Sequence, residues 1–201
     1  MKGPLGQRIQ YAKGGIGKWY WDYRDNKTLA FIGNEKKILD VGCGEGITLE
    51  KLVTRFPGRQ VLGIDYDPEK IKVCQSLNLP AEVGNAYELR FKDRSFDCCL
   101  FLEVIEHLHE PLRALREIYR ILCPGGLLLL IFPNDFIFKL ARIICLKFKE
   151  AFTPSGHVKQ WTPQNMHQVL IEVGFSIIKM EYLPFSCWWS SLHCLIACRK
   201  V

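Results

Sequence analysis

Ile38-Leu39-Asp40-Val41-Gly42-Cys43-Gly44-Glu45-Gly46 decides the fold. Its first four residues read as a short buried strand. Three glycines at alternate positions then let the backbone turn sharply and approach a ligand closely. A helix is predicted over 48–56, and its unpaired N-terminal amides face that ligand. Working outward, a second strand is predicted over 60–65. Asp65 closes it, 19 residues beyond Gly46. A carboxylate at that place accepts hydrogen bonds from both hydroxyls of a ribose. The first half of the chain therefore reads as a site for a nucleoside-containing cofactor at the carboxyl ends of parallel strands.

The pattern continues on both sides. A helix over 68–77 carries Pro68 near its start. Strands follow at 81–83, 96–102 and 127–132, with a helix over 111–122 stopped by Pro124-Gly125-Gly126. The strands are apolar on both faces, so the sheet is parallel and covered by helices on both sides, an α/β architecture. After Pro133 the predicted elements are a helix over 136–149, a loop with Pro154 and Gly156, and a helix over 163–173 ended by Gly174. Strands over 175–182 and 191–199 come last. Two strands without a helix between them predict an antiparallel hairpin at the sheet edge. Before the glycine loop, periodicity is clear only over 19–31, a helix. The expected organisation is an N-terminal cap over 1–35 and a main domain over 36–201, with a lid insertion at about 134–160.

Composition sets the bounds. The chain has 201 residues, 48% hydrophobic and 24% charged, which fits one globular domain and excludes global disorder. A net charge of +6 invites anionic partners but is too small to imply nucleic acid. The nine cysteines are odd in number and lack a Cys-x-x-Cys, which favours reduced buried thiols over zinc or disulfides. Residues 1–10 show no secretory pattern, and the longest uncharged run, 182–198, is interrupted by Pro184 and polar residues. The expected location is cytoplasmic, with a membrane-peripheral alternative.

Which cofactor binds is narrowed by two positions. A dinucleotide fingerprint wants Gly or Ala where Ile47 stands. Glu45 adds negative charge beside the loop, which disfavours a pyrophosphate and favours a cationic ligand. ILDVGCGEG from Ile38, GIDYDPEKI from Gly63, SFDCCLFLEVIEHLHEPLRALREIYRILCPGGLLLLIFPN from Ser95 and GHVKQWTPQNMHQVLIEVGF from Gly156 closely resemble the class I S-adenosylmethionine-dependent methyltransferases, within them the small-molecule, quinone-biosynthesis group. The resemblance implies a Rossmann-like, mostly parallel seven-stranded sheet whose antiparallel last strand lies beside strand five. It implies S-adenosyl-L-methionine as cofactor. Asp40, Gly42, Gly44 and Gly46 would shape the methionine side, Asp65 would hold the ribose, and Tyr66 would stack by the adenine. Asn85-Ala86 stands where the family often has Asp-Ala, and the Asn carbonyl still accepts from the adenine amine. Leu102 and Glu103 would lie at the methyl-donor end. Tyr11, Trp19 and Tyr20 are candidates for a wall folded over the cofactor.

Glu103-Val104-Ile105-Glu106-His107 follows strand four, where an acceptor sits. Three readings stay open. Glu106 and His107 join strand to loop; or His107 serves as general base, since its pKa suits neutral pH; or Glu103, Glu106 and His107 hold Mg²⁺ or Mn²⁺. No metal is assigned, and the catalytic candidates are His107, Glu106 and His157. The helix over 136–149 carries Lys139, Arg142, Lys147 and Lys149 without an acid, opposite an apolar stripe that includes Ile137 and Leu140. It reads as a lid, with weak contact to a membrane surface as the alternative. The expected activity is methyl transfer, O-methylation favoured, to a small, partly apolar acceptor. The alternatives are RNA or protein methylation and a non-catalytic cofactor-binding subunit.

Overall fold

A computed structural model describes residues 6–144 and 156–201. Its strands are β1 (Lys37–Val41), β2 (Gln60–Asp65), β3 (Ala81–Val83), β4 (Phe96–Leu102), β5 (Leu122–Pro133), β6 (Phe175–Leu183) and β7 (His193–Lys200). They form one sheet in the order β3-β2-β1-β4-β5-β7-β6. Every neighbouring pair is parallel except the two that β7 makes, with β5 and β6. The order reverses between β1 and β4, so a crevice opens at the carboxyl ends of those two central strands. The helices are α1 (Gln7–Ala12), α2 (Gly15–Leu29), α3 (Ile47–Arg55), α4 (Pro68–Ser76), α5 (Pro111–Ile121), α6 (Asp135–Ile144) and α7 (Pro163–Val173).

Strand alternation divides the core into two layers. Ile38, Leu100 and Leu129 face Leu49 and Leu52 of α3. Leu39, Phe101, Leu128 and Leu130 face Leu115 and Ile118 of α5 and Met166 and Leu170 of α7. Each such side chain contributes roughly 1.5–3 kcal/mol of burial, so the two central strands are anchored from both sides. The helix starts follow local chemistry. Asp67 caps α4 by accepting from Glu69 N, with Pro68 behind it. Thr162 and Asn165 form a reciprocal capping box at α7.

Two regions differ most from expectation. β5 begins at Leu122, so Pro124-Gly125-Gly126 belongs to it, and its pairing with β4 shifts register between Phe96 and Cys98. The N-terminal segment forms α1, and α2 starts at Gly15; α1 takes its first-turn acceptor from Glu45, far along the chain. Helix α6 is described to Ile144, and the remainder of the expected helix, including Lys147 and Lys149, lies outside the described residues. Of the expected stripe, Leu140 is 43% exposed and Ile137 half-buried; Phe136 beside it is 72% exposed and Phe138 half-buried. Among the described residues, no helix is long and apolar enough to cross a membrane.

Candidate functional site

The crevice is built first by the glycine loop. Gly42, Gly44 and Gly46 have φ of +82°, +57° and +77°, a region L side chains rarely adopt. A Cβ on Gly42 would stand 2.3 Å from Val104 Cγ2. The loop is fixed from below by Asp65, whose Oδ2 accepts from Gly44 N at 3.0 Å and whose Oδ1 accepts from Asp67 N at 2.9 Å. Asp65 and Asp40 are both buried at the ends of neighbouring strands. Asp40 Oδ2 has no hydrogen-bond partner among the described residues. Burial, reinforced by the carboxylates of Asp25 and Asp65, pushes Asp40 up to about 7. A buried carboxyl oxygen left without a donor costs about 1–3 kcal/mol. A cationic ligand against it recovers that cost. Orphaned acid and glycine cradle together fit S-adenosylmethionine.

Other expected cofactor residues are placed as follows. Tyr66 is half exposed at the end of β2. Asn85 forms an isolated bridge with Glu88, and its Oδ1 accepts from Tyr87 N at 2.9 Å, leaving the second lone pair for a ligand amine. Ala86 and Leu102 are partly buried beside the core. Two expectations are corrected. Glu45 does not present its charge to the ligand: its carboxylate accepts from Gly6, Gln7 and Arg8 N–H, and its backbone carbonyl takes Arg8 Nε at 2.6 Å. The reason is geometric, since an αL loop turns alternate side chains outward, where α1 captures this one. Trp19 is not a cofactor wall; it stacks on Tyr23 and is 59% exposed. Tyr11 bonds Asp22, and Tyr20 packs on His193.

The acidic segment follows β4. Glu106 and His107 lie in a short 3₁₀ turn. The Glu106 carbonyl accepts from Val158 N at 2.8 Å and Lys159 N at 3.2 Å, which carries His157 alongside. The two imidazoles meet edge to face at 4.9 Å. His107 Nδ1 lies 3.2 Å from the Gly156 carbonyl. A carbonyl only accepts, so Nδ1 carries the proton and Nε2 is the basic nitrogen. Partial burial of the ring lowers the His107 pKa, and His157 adds to it, while the Gly156 carbonyl opposes. His157 Nδ1 lies 2.6 Å from Asp135 Oδ1. Glu106 is buried, its Oε2 is unpartnered, and burial followed by the charge of Glu103 drives its pKa well above the carboxylate range. Ligating atoms of Glu106, His107 and His157 all lie within 4.8 Å of one another, near enough for one divalent ion.

Glu103 leaves that group, contrary to the spacing-based trio. At φ +54° its backbone swings the carboxylate toward Arg24 and His193. His193 Nε2 is 3.0 Å away, and His193 Nδ1 lies 2.6 Å from Tyr20 Oη. Arg24, buried, also holds Asp25 Oδ1 at 2.7 Å. Asp25 in turn takes Thr48 Oγ1 at 3.2 Å and Lys51 Nζ at 2.8 Å on α3. Arg24 and His193 keep Glu103 ionised against its own desolvation. Arg24, Asp25 and His193 were not singled out by sequence; an Arg-Asp pair inside an aromatic helix was the one visible sign.

Comparison with known proteins agrees with this geometry. Residues 39–130 match the family described as methyltransferase domain. The chain is 30% identical over 185 residues to a ubiquinone biosynthesis O-methyltransferase of Leptothrix cholodnii, covering 82% of this chain and 77% of that protein. It is 31% identical over 168 residues to a probable S-adenosylmethionine-dependent methyltransferase of Mycobacterium tuberculosis, covering 80% of this chain and 57% of the relative. The chain thus spans little more than half the length of that relative. A solved S-adenosylmethionine-dependent methyltransferase from Archaeoglobus fulgidus superposes with a TM-score of 0.75 at 16% identity, over 98% of this chain and 100% of the other. The chain belongs to the S-adenosylmethionine-dependent methyltransferase family, with the seven-stranded class I fold and S-adenosyl-L-methionine as its cofactor.

Proposed function

We propose that the protein transfers a methyl group to a hydroxyl of a small, partly apolar acceptor. The observation that carries this reading is His107, an imidazole held by Gly156 with its basic Nε2 turned away, one residue from a buried acid at the carboxyl end of β4. Bound S-adenosylmethionine supplies an electrophilic methyl on a sulfonium. The chain's own contribution is alignment and proton removal. Asp40, Asp65 and the glycine loop seat the donor, and His107 Nε2 takes the acceptor's hydroxyl proton as attack develops. Its lowered pKa leaves the ring neutral, and therefore basic, near pH 7.

The O-methyltransferase relative supports the hydroxyl; a norajmaline N-methyltransferase of Rauvolfia serpentina, 34% identical over 45% of this chain and 34% of its own length, keeps an amine in view. A second reading is favoured by the 4.8 Å cluster: Glu106, His107 and His157 would hold a divalent ion, which would supply Lewis-acid polarisation of the acceptor oxygen. Exposed Phe136 and Leu140 on α6 support a lid or membrane-surface role for that helix. The test is a radiolabelled methyl-transfer screen over phenolic, amine, lipid and RNA fractions, with and without EDTA. Base-stable label in a phenolic or lipid product supports the reading. Label in RNA or protein alone contradicts it. Activity lost to EDTA and restored by Mg²⁺ selects the metal reading.

A further inference from the structure

The mechanism leaves two thiols beneath the glycine loop unused. Cys43 is the loop's own residue, and Cys74 stands near the end of α4. Both sulfurs converge on one atom, the Gly44 carbonyl oxygen, at 3.9 Å from Cys43 and 3.4 Å from Cys74. Each thiol shifts the ionisation of the other. Their packing leaves no slack: a Cβ on Gly63 would stand 2.9 Å from the Cys43 sulfur, and one on Gly46 would stand 2.8 Å from the Cys74 sulfur. Gly44 passes its position on to the ligand site, because its N–H donates to Asp65 Oδ2. The two sulfurs are therefore one carbonyl and one amide away from the carboxylate assigned to the ribose.

The geometry points to Cys43 and Cys74 as a thiol–disulfide modification site that takes a peroxide as oxidant and turns cofactor binding off when oxidised. The pair is chemically asymmetric. The Cys74 thiol is held below its usual value by the neighbouring Cys43 thiol, with Arg8 assisting against burial, while Cys43 is pushed up. Cys74 is thus the first to react, since the thiolate is the nucleophile. Its sulfur attacks one peroxide oxygen, an S–O bond forms, the O–O bond breaks, and the departing hydroxide takes a proton to leave as water. Cys43 sulfur then displaces the hydroxyl from Cys74 sulfur. The S–S bond forms, and that hydroxyl leaves as water with the Cys43 proton. Two thiols and one hydrogen peroxide give one disulfide and two waters; the sulfurs lose two electrons that the peroxide gains.

The consequence follows from distance. A disulfide brings the sulfurs to about 2.05 Å, drawing α4 and the loop together and ending the thiol contacts beneath the Gly44 carbonyl. The loop's amide on Asp65 moves with it. Arg8, which reaches over the loop to the Glu45 and Gly46 carbonyls, limits access to the buried sulfurs. Oxidation is therefore slower than at exposed Cys187, and the experiment removes that competitor.

The test uses the full chain carrying Cys187→Ser, fully reduced, then treated with hydrogen peroxide, then with dithiothreitol. Peptide mapping by mass spectrometry reads the crosslink, and calorimetry reads S-adenosylmethionine affinity at each stage. The expected result is a Cys43–Cys74 disulfide with affinity reduced by about tenfold or more, the scale of an ångström's misplacement in a binding cradle, and full recovery on reduction. Cys74→Ala, judged folded by its reduced-state affinity, should keep that affinity after peroxide. If the variant does not fold, mapping and titration of the parent still decide. Thiols at 43 and 74 that stay reduced while others oxidise, or a disulfide that leaves affinity unchanged, overturns the proposal. Failure to bind in the reduced state would instead count against the cofactor assignment.

Discussion

The two sides of the crevice satisfy their polar groups differently. On the cofactor side, the glycine loop and Asp65 bond one another, Arg8 and Cys74 close on the loop's carbonyls, and Asp40 Oδ2 is left over among the described residues. On the acceptor side, the groups that matter arrive from α2, the β4 turn, the 156–159 segment and β7, and are held by ion pairs across the chain. The first arrangement centres on neighbouring parallel strands and the loop between β1 and α3. The second depends on distant elements docking together, so its residues serve stability and chemistry at once.

That contrast is broken most severely at Arg24. Arg24→Ala leaves Asp25 buried without its guanidinium and Glu103 without its main counter-charge. Stability should fall by about 3–5 kcal/mol, the usual effect of removing one partner of a buried pair. Thermal denaturation checks it, and an unchanged midpoint would show that α2 is merely laid against the domain. His107→Ala should act on chemistry instead. Turnover should drop about 10²–10⁴-fold, the usual worth of a general base, while S-adenosylmethionine affinity holds. Equal losses in affinity and turnover would make His107 a structural residue.

Asp40 sharpens the comparison from the cofactor side. Its folded pKa is raised to about 7, so between about pH 4 and 7 the folded state binds more protons than the unfolded one. Its contribution to stability is therefore lost as pH rises through that window. A cation against Oδ2 favours the ionised form, so cofactor affinity should climb with pH, at most about tenfold per unit, and level off above about 7. Calorimetry across the range reads this, and Asp40→Asn should flatten it. A further test concerns the basic segment over residues 136–149. Neutralising Lys139, Arg142, Lys147 and Lys149 should weaken binding to anionic vesicles by about 1 kcal/mol per cation at low salt. Co-sedimentation equal for both proteins would remove the membrane contact.

The same contrast explains what was legible. The alternation from Ile38 to Phe132 is written in adjacent residues, because parallel strands buried on both faces are apolar throughout. The glycine loop and Asp65 are legible for the same reason. Helix α1 was hidden because its first-turn acceptor is Glu45, and the charge of Glu45 was misdirected because the side chain's heading depends on αL turns. Glu103 was grouped with Glu106 by spacing, but its partners Arg24 and His193 lie 79 and 90 residues away in sequence. No short-range pattern announces such pairs. His157 is a candidate from sequence, and the backbone bonds from Val158 and Lys159 to Glu106 are what bring it beside His107.

The central claim is that the loop and Asp65 form a preorganised seat for S-adenosylmethionine. Calorimetric titration of the reduced chain tests it directly, with Asp65→Asn and with NAD as competitor. The expected result is micromolar-order affinity for S-adenosylmethionine and a loss of about 1–3 kcal/mol in the variant, the worth of a charge-assisted hydrogen bond. Preference for NAD, or equal binding by Asp65→Asn and the parent, would contradict it.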